Sequence, residues 1–155
     1  MIYEILALLF GWFLFGVIFI PLVLLWFRSE RKLVIRILIN VVVTWVIVQI
    51  IKILIPTARP YTILGASPLA EFMLNQMESF PSGHAAISFA IAGTIWDEKH
   101  RFGLIALILA LLMSIGRVML NVHYPIDVIV GSIIGILVVM ISKPFVAKIP
   151  LKFKR

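Results

Sequence analysis

The sequence contains no cysteine, and only 7 acidic residues and 3 histidines in a chain of 155. The missing cysteine excludes disulfides and thiolate metal sites. The N-terminus lacks the basic n-region and small-residue cleavage site of a signal peptide, so its first apolar stretch reads as a retained span. There is no internal repeat and no low-complexity tract. Charged residues make up 14% of the chain and hydrophobic residues 63%, whereas soluble domains lie nearer half apolar. This composition identifies an integral membrane protein, and the length predicts a single domain over residues 1–155.

Five apolar segments stand out: about Ile5 to Phe27, Leu33 to Ile55, about His84 to Trp96, Phe102 to Asn121, and Pro125 to Ser142. A helix needs about 20 residues to cross the hydrocarbon. The last three reach that length only with their polar ends counted in. The expected architecture is all-α, a polytopic bundle of five transmembrane helices. Between the second and third, residues 61–80 predict a short interfacial helix. There Leu69, Phe72, Met73, Met77 and Phe80 recur at helical spacing after a Ser67–Pro68 start.

A formal net charge of +7 would suggest nucleic acid in a soluble protein, but its placement points elsewhere. Arg28, Arg31, Lys32, Arg36, Lys99, Arg101, Lys143, Lys148, Lys152, Lys154 and Arg155 all fall on one side of the predicted bundle. That side is the cytoplasmic one, with the C-terminus. The partner implied is the lipid bilayer, not nucleic acid. Three cations remain, Lys52, Arg59 and Arg117, at the opposite ends of spans. An ionisable residue there costs about 2.5–3.5 kcal/mol to insert and marks a functional site by default.

Three stretches converge on that face: Lys52 to Pro60, Pro81 to His84, and Gly116 to Asp127. In the second, Ser82 is a good N-cap and Gly83 permits close backbone approach. The free N–H groups of a helix start make an anion site, which three nearby cations reinforce. In the third, His123 and Asp127 are four apart with Pro125 at a helix start, which brings the carboxylate near the ring. A carboxylate on one ring nitrogen leaves the other as an oriented lone pair. His84 supplies a second, differently placed imidazole that can separate acid from base. His100 lies in a solvated cytoplasmic turn and takes no role. Two histidines and an aspartate could bind zinc, but the three cations would repel a dication and suit an anionic substrate.

Assembled, these residues resemble the type-2 phosphatidic acid phosphatase family of membrane lipid phosphatases. Its signature is Lys, six residues, Arg-Pro; then Pro-Ser-Gly-His; then Ser-Arg, five residues, His, three residues, Asp. Lys52 to Pro60, Pro81 to His84, and Arg117, His123 and Asp127 match in order and spacing. Gly116 departs from the pattern, standing where the family has serine, and five spans are fewer than the usual six. The resemblance implies phosphoryl transfer with no metal and no cofactor. His123 would be the nucleophile, forming a phosphohistidine, with Asp127 orienting it and His84 protonating the leaving oxygen. Lys52, Arg59, Ser82, Gly83 and Arg117 would hold the phosphate oxygens.

A site at the outer headgroup level favours a membrane lipid phosphate as substrate. The stretch Val122 to Asp127 with its glycine-bearing span resembles family members acting on undecaprenyl diphosphate at the outer face of the cell membrane. Phosphatidate and phosphatidylglycerophosphate are alternatives. The rival from another class is a non-catalytic lipid-phosphate binder or transporter, which would want polar residues through the midplane. Only Asn40, Thr44 and Gln49 on the second span meet that need. Small residues on the third span and Gly131 and Gly135 on the fifth predict that these two pack together in the interior, with span one peripheral.

Overall fold

The structure is a computed structural model that describes residue 16 and residues 30–64 and 77–146. Four helices form a bundle: α1 (Arg31–Leu54), α3 (Gly83–Glu98), α4 (His100–Met119) and α5 (Pro125–Val146), with a single turn, α2 (Tyr61–Leu64), beside them. Among the described residues there is no strand, only one isolated bridge between Thr57 and Glu78. Helices α1, α4 and α5 are long and apolar enough to cross a membrane. Helix α3 has 16 residues, about 24 Å of rise, which is short of the roughly 30 Å hydrocarbon. The first expected span, Ile5 to Phe27, lies outside the described residues apart from Gly16.

Helix α3 is the centre of the bundle and packs against α1, α4 and α5. Its small residues Ala85, Ala86, Ala90 and Ala92 are fully buried, while apolar side chains such as Trp45, Leu111 and Ile141 face outward. Lipid tails are as apolar as leucine, so close backbone packing has to replace the hydrophobic effect between helices. A side chain at Gly131 would put a Cβ 2.5 Å from the Ser82 carbonyl oxygen. One at Gly135 would collide with the carbonyl of Ala86 and stand 2.9 Å from the amide nitrogen of Ala90. Helices α3 and α5 therefore touch backbone to backbone, as their small residues predict.

About one helical turn in from the basic end the same helices share polar bonds. Asn40 Nδ2 donates to Thr94 Oγ1 at 2.8 Å, and Ser142 Oγ donates to Asn40 Oδ1 at 2.6 Å. Thr94 Oγ1 donates to the Ala90 carbonyl at 2.7 Å. One clasp thus joins α1, α3 and α5. At the basic end Arg36 pairs with Asp97 at 2.9 Å and with Glu98, Lys143 reaches Asp97 at 2.5 Å, and Lys99 reaches Glu30 at 2.5 Å. The basic end and the site end of the bundle are therefore opposite, because α1 runs from Arg36 to Lys52 and α3 returns from His84 to Asp97.

The expected interfacial helix needs correction at its end. Residues 65–76 lie outside the described residues, but Met77 to Phe80 are not helical. The Thr57 amide donates to Met77 O at 3.1 Å and the Ser79 amide donates to Thr57 O at 3.0 Å. Backbone groups committed to a neighbouring segment cannot close helical i→i−4 bonds.

Candidate active site

Each site residue is fixed by a local feature of the chain. Lys52 sits in the last turn of α1. Ser82 caps α3, its Oγ accepting from the Ala85 amide at 3.5 Å, and this sets Gly83 and His84 on the first turn. Arg117 lies in the last turn of α4. The chain then reverses through Asn121, whose φ of 54° is a left-handed conformation that asparagine tolerates. The reversal carries His123 back over the bundle. Asp127 is the third residue of α5, and its Oδ2 accepts from the Tyr124 amide at 2.8 Å, closing one half of a capping box.

Lys52, Arg59, Gly83, His84, Arg117 and His123 line one cavity of about 230 Å³. Trp45, Val48 and Ile87 form its apolar wall, with Gln49 among them. Asp127 stands behind His123, with Oδ2 3.5 Å from Nδ1. Both side chains are almost wholly buried. Ser82 is also buried, but it does not line the cavity, since its hydroxyl is spent on the helix start. Six of the eight residues singled out from the sequence thus line the cavity, and Asp127 and Ser82 stand behind residues that do.

Arg59 is tied on two sides. Its Nη1 donates to Val122 O at 2.8 Å and its Nη2 to Glu78 O at 2.9 Å. The same Glu78 carbonyl accepts from Lys52 Nζ. Arg59 Nη1 also lies 3.4 Å from His123 Nε2. A guanidinium can only donate, so Nε2 beside it carries a lone pair and the proton of the neutral ring is on Nδ1, towards Asp127. Burial pushes the His123 pKa down to about 3; the Asp127 contact opposes this, and Arg117, Arg59 and Lys52 reinforce it. The ring is therefore neutral at physiological pH. Among the described residues no group of three or more His, Asp or Glu is arranged to hold a metal.

A neutral, oriented imidazole facing a cation-lined cavity can attack a phosphoryl group. Residues 32–150 match the PAP2 superfamily. The chain is a member of the PAP2 superfamily. An undecaprenyl-diphosphatase of Sulfolobus acidocaldarius is 31% identical over 130 residues, covering 83% of this chain and 63% of that protein. The bacitracin transport permease protein BcrC of Bacillus licheniformis is 32% identical over 110 residues, covering 70% of this chain and 53% of that protein. The chain thus spans between half and two thirds of the length of these curated relatives. The crystal structure of Aquifex aeolicus LpxE superposes with a TM-score of 0.71 at 30% identity, covering 92% of this chain and 84% of that one.

For a PAP2 superfamily member, two further site residues escape a reading of the sequence. Ser79 is fully buried and donates from Oγ to Asp127 Oδ2 at 2.5 Å. Glu78 contributes through its backbone carbonyl, which carries no residue-type signal. Ser79 did have a faint one, as a small polar residue two positions before the Pro81 motif. Gly116, where the motif has serine, is buried with no side chain to offer; the nearest hydroxyl on α4, Ser114, is itself buried.

Proposed function

We propose that this protein is a membrane lipid phosphatase. It hydrolyses a lipid phosphate or diphosphate monoester at the extracytoplasmic face, without a metal, through a phosphohistidine on His123. The observation that carries the reading is the placement of His123. One ring nitrogen is beside Asp127 and the other beside Arg59, at a cavity lined by three cations. Nε2 attacks the terminal phosphorus, and its bond to the leaving oxygen, the ester oxygen of a monophosphate or the bridging oxygen of a diphosphate, breaks as His84 protonates that oxygen. Water then attacks the phosphohistidine and gives its proton to His84. The N–P bond breaks, releasing phosphate. Lys52, Arg59 and Arg117 stabilise the charge spread over the phosphoryl oxygens, together with the backbone at Gly83 at the start of α3.

Undecaprenyl diphosphate is the substrate we favour, supported by the named activity of the archaeal relative. Phosphatidate and phosphatidylglycerophosphate share the same headgroup chemistry. The permease name of the bacillar relative raises transport as a second reading. Against it, Asn40, Thr94 and Ser142 spend their polar groups on one another in a clasp between helices. The test is release of inorganic phosphate by purified protein from a panel of lipid phosphates in detergent, with His123→Ala as control. Turnover that disappears in the variant is expected. Phosphate-lipid binding with no release from any member of the panel would favour the binder or transporter.

A further inference from the structure

We infer that Ser79 is a positioning residue for the reaction: it holds the Asp127 carboxylate, which in turn holds His123. The inference rests on the reading of His123 as nucleophile and adds a residue to it.

Buried hydroxyls in membrane helices commonly turn back to their own helix carbonyls, and Thr94 and Ser132 do so here, to Ala90 O and Val128 O. Ser79 does not. Its hydroxyl crosses 48 residues of sequence to reach Asp127 Oδ2 at 2.5 Å. That oxygen accepts from the Tyr124 amide as well. Two donors converging on one oxygen fix the rotation of the carboxylate, and so the direction from which Nδ1 of His123 meets it at 3.5 Å.

Ser79 is itself held. Its amide donates to Thr57 O, and the Thr57 amide donates to Met77 O. The carbonyl one residue before it, Glu78 O, accepts from both Lys52 and Arg59. The segment from Met77 to Ser79 therefore touches the phosphate-binding cations with its backbone and the carboxylate with its side chain. It sets the distance between the part of the site that grips phosphate and the part that attacks it. Without the hydroxyl, Oδ2 keeps the Tyr124 amide as its one fixed hydrogen-bond donor, and the carboxylate can rotate away from the ring. Substrate contacts are untouched, so the effect falls on turnover and not on binding.

The test measures phosphate release from farnesyl diphosphate in detergent for Ser79→Ala, Asp127→Ala, the double variant and His123→Ala. A hydrogen bond to a charged acceptor corresponds to about a 10- to 100-fold change in rate. Ser79→Ala is expected to lower kcat by that factor with KM within about twofold of wild type. In the Asp127→Ala background the same change should alter kcat less than about twofold, because the group it serves is gone. An equal loss in both backgrounds, or unchanged kcat in the single variant, overturns the assignment. If Ser79→Ala does not fold, the isosteric pair Ser79→Thr and Ser79→Val replaces it: threonine should retain most of the rate and valine lose it, and equal rates overturn the assignment. Full activity in His123→Ala would instead overturn the nucleophile, an outcome separate from the behaviour of Ser79.

Discussion

Arg59 meets His123 inside the cavity, with Nη1 of the guanidinium 3.4 Å from Nε2 of the imidazole. The contact keeps a donor beside the nitrogen proposed to attack, so the ring does not turn its protonated side to the cavity. The same Arg59 reaches Val122 O and Glu78 O, which takes a planar fork. An ammonium is a point charge on a flexible stem and cannot copy it. Arg59→Lys should lower kcat/KM by about 100-fold, in the range for losing one fixed donor to a developing charge. Steady-state phosphate release checks this, and a change of less than about threefold would mean that charge alone suffices.

On the proposed mechanism His123→Ala should abolish release, because the ring that forms the covalent intermediate is removed. Asp127→Asn should leave the fold intact and lower kcat by about 100-fold or more, since an amide favours the wrong imidazole tautomer. Acid-quenched protein labelled with phosphate on His123 should be detectable by mass spectrometry in wild type and absent from His123→Ala.

Activity should persist in excess EDTA. Complete loss on chelation, restored by zinc or magnesium, would replace the cation-based account with a metal-based one.

The buried His123 also makes stability depend on pH. The unfolded imidazole binds a proton near pH 6.5, whereas the native ring does so only near pH 3. Between these values the unfolded state holds more protons, so stability falls as pH falls. From pH 7 to pH 5 this one group removes about 2 kcal/mol. His123→Asn should therefore lose less thermal stability than wild type over that interval, measured by unfolding in detergent. Parallel losses in both proteins would show that the acid sensitivity lies elsewhere.

Gly135→Ala should be destabilising by about 1–3 kcal/mol, the usual range for overpacking. The clash is with α3 backbone at Ala86 and Ala90, which has no rotamer with which to yield. Because α3 carries His84 and α5 carries Asp127, activity should fall together with the melting temperature. A variant of wild-type stability and rate would mean that the two helices can separate without consequence.

The gathering of this site was legible in the sequence because its polar side chains recur at particular spacings. Lys52, Arg59, His84, Arg117, His123 and Asp127 are polar residues in apolar surroundings, and nothing but a site explains them together. Glu78 acts through a carbonyl, which every residue has. Ser79 is one serine among several, and its partner lies 48 residues away. Met77 and Phe80 fit a helical period, yet the backbone between them bonds to Thr57, an interaction that periodicity does not encode. Helix α3 reads as a span by composition but has 16 residues. Its neighbours in the bundle, not lipid, surround most of it, so it is freed from the length that lipid contact imposes.

The Asn40 clasp has a consequence for the order in which the protein is built. Asn40 is inserted early, yet the serine that satisfies its amide oxygen, Ser142, is made about a hundred residues later, on the helix that also brings Asp127. Until that helix arrives, a polar amide stands half-satisfied in the bilayer, where an unmet group is costly. Gathering of the site and relief of this defect are thus a single event, the docking of that helix. Chains arrested before Ser142 should be cleared by membrane proteases faster than chains that carry it, and Asn40→Leu should narrow that difference in a pulse-chase experiment.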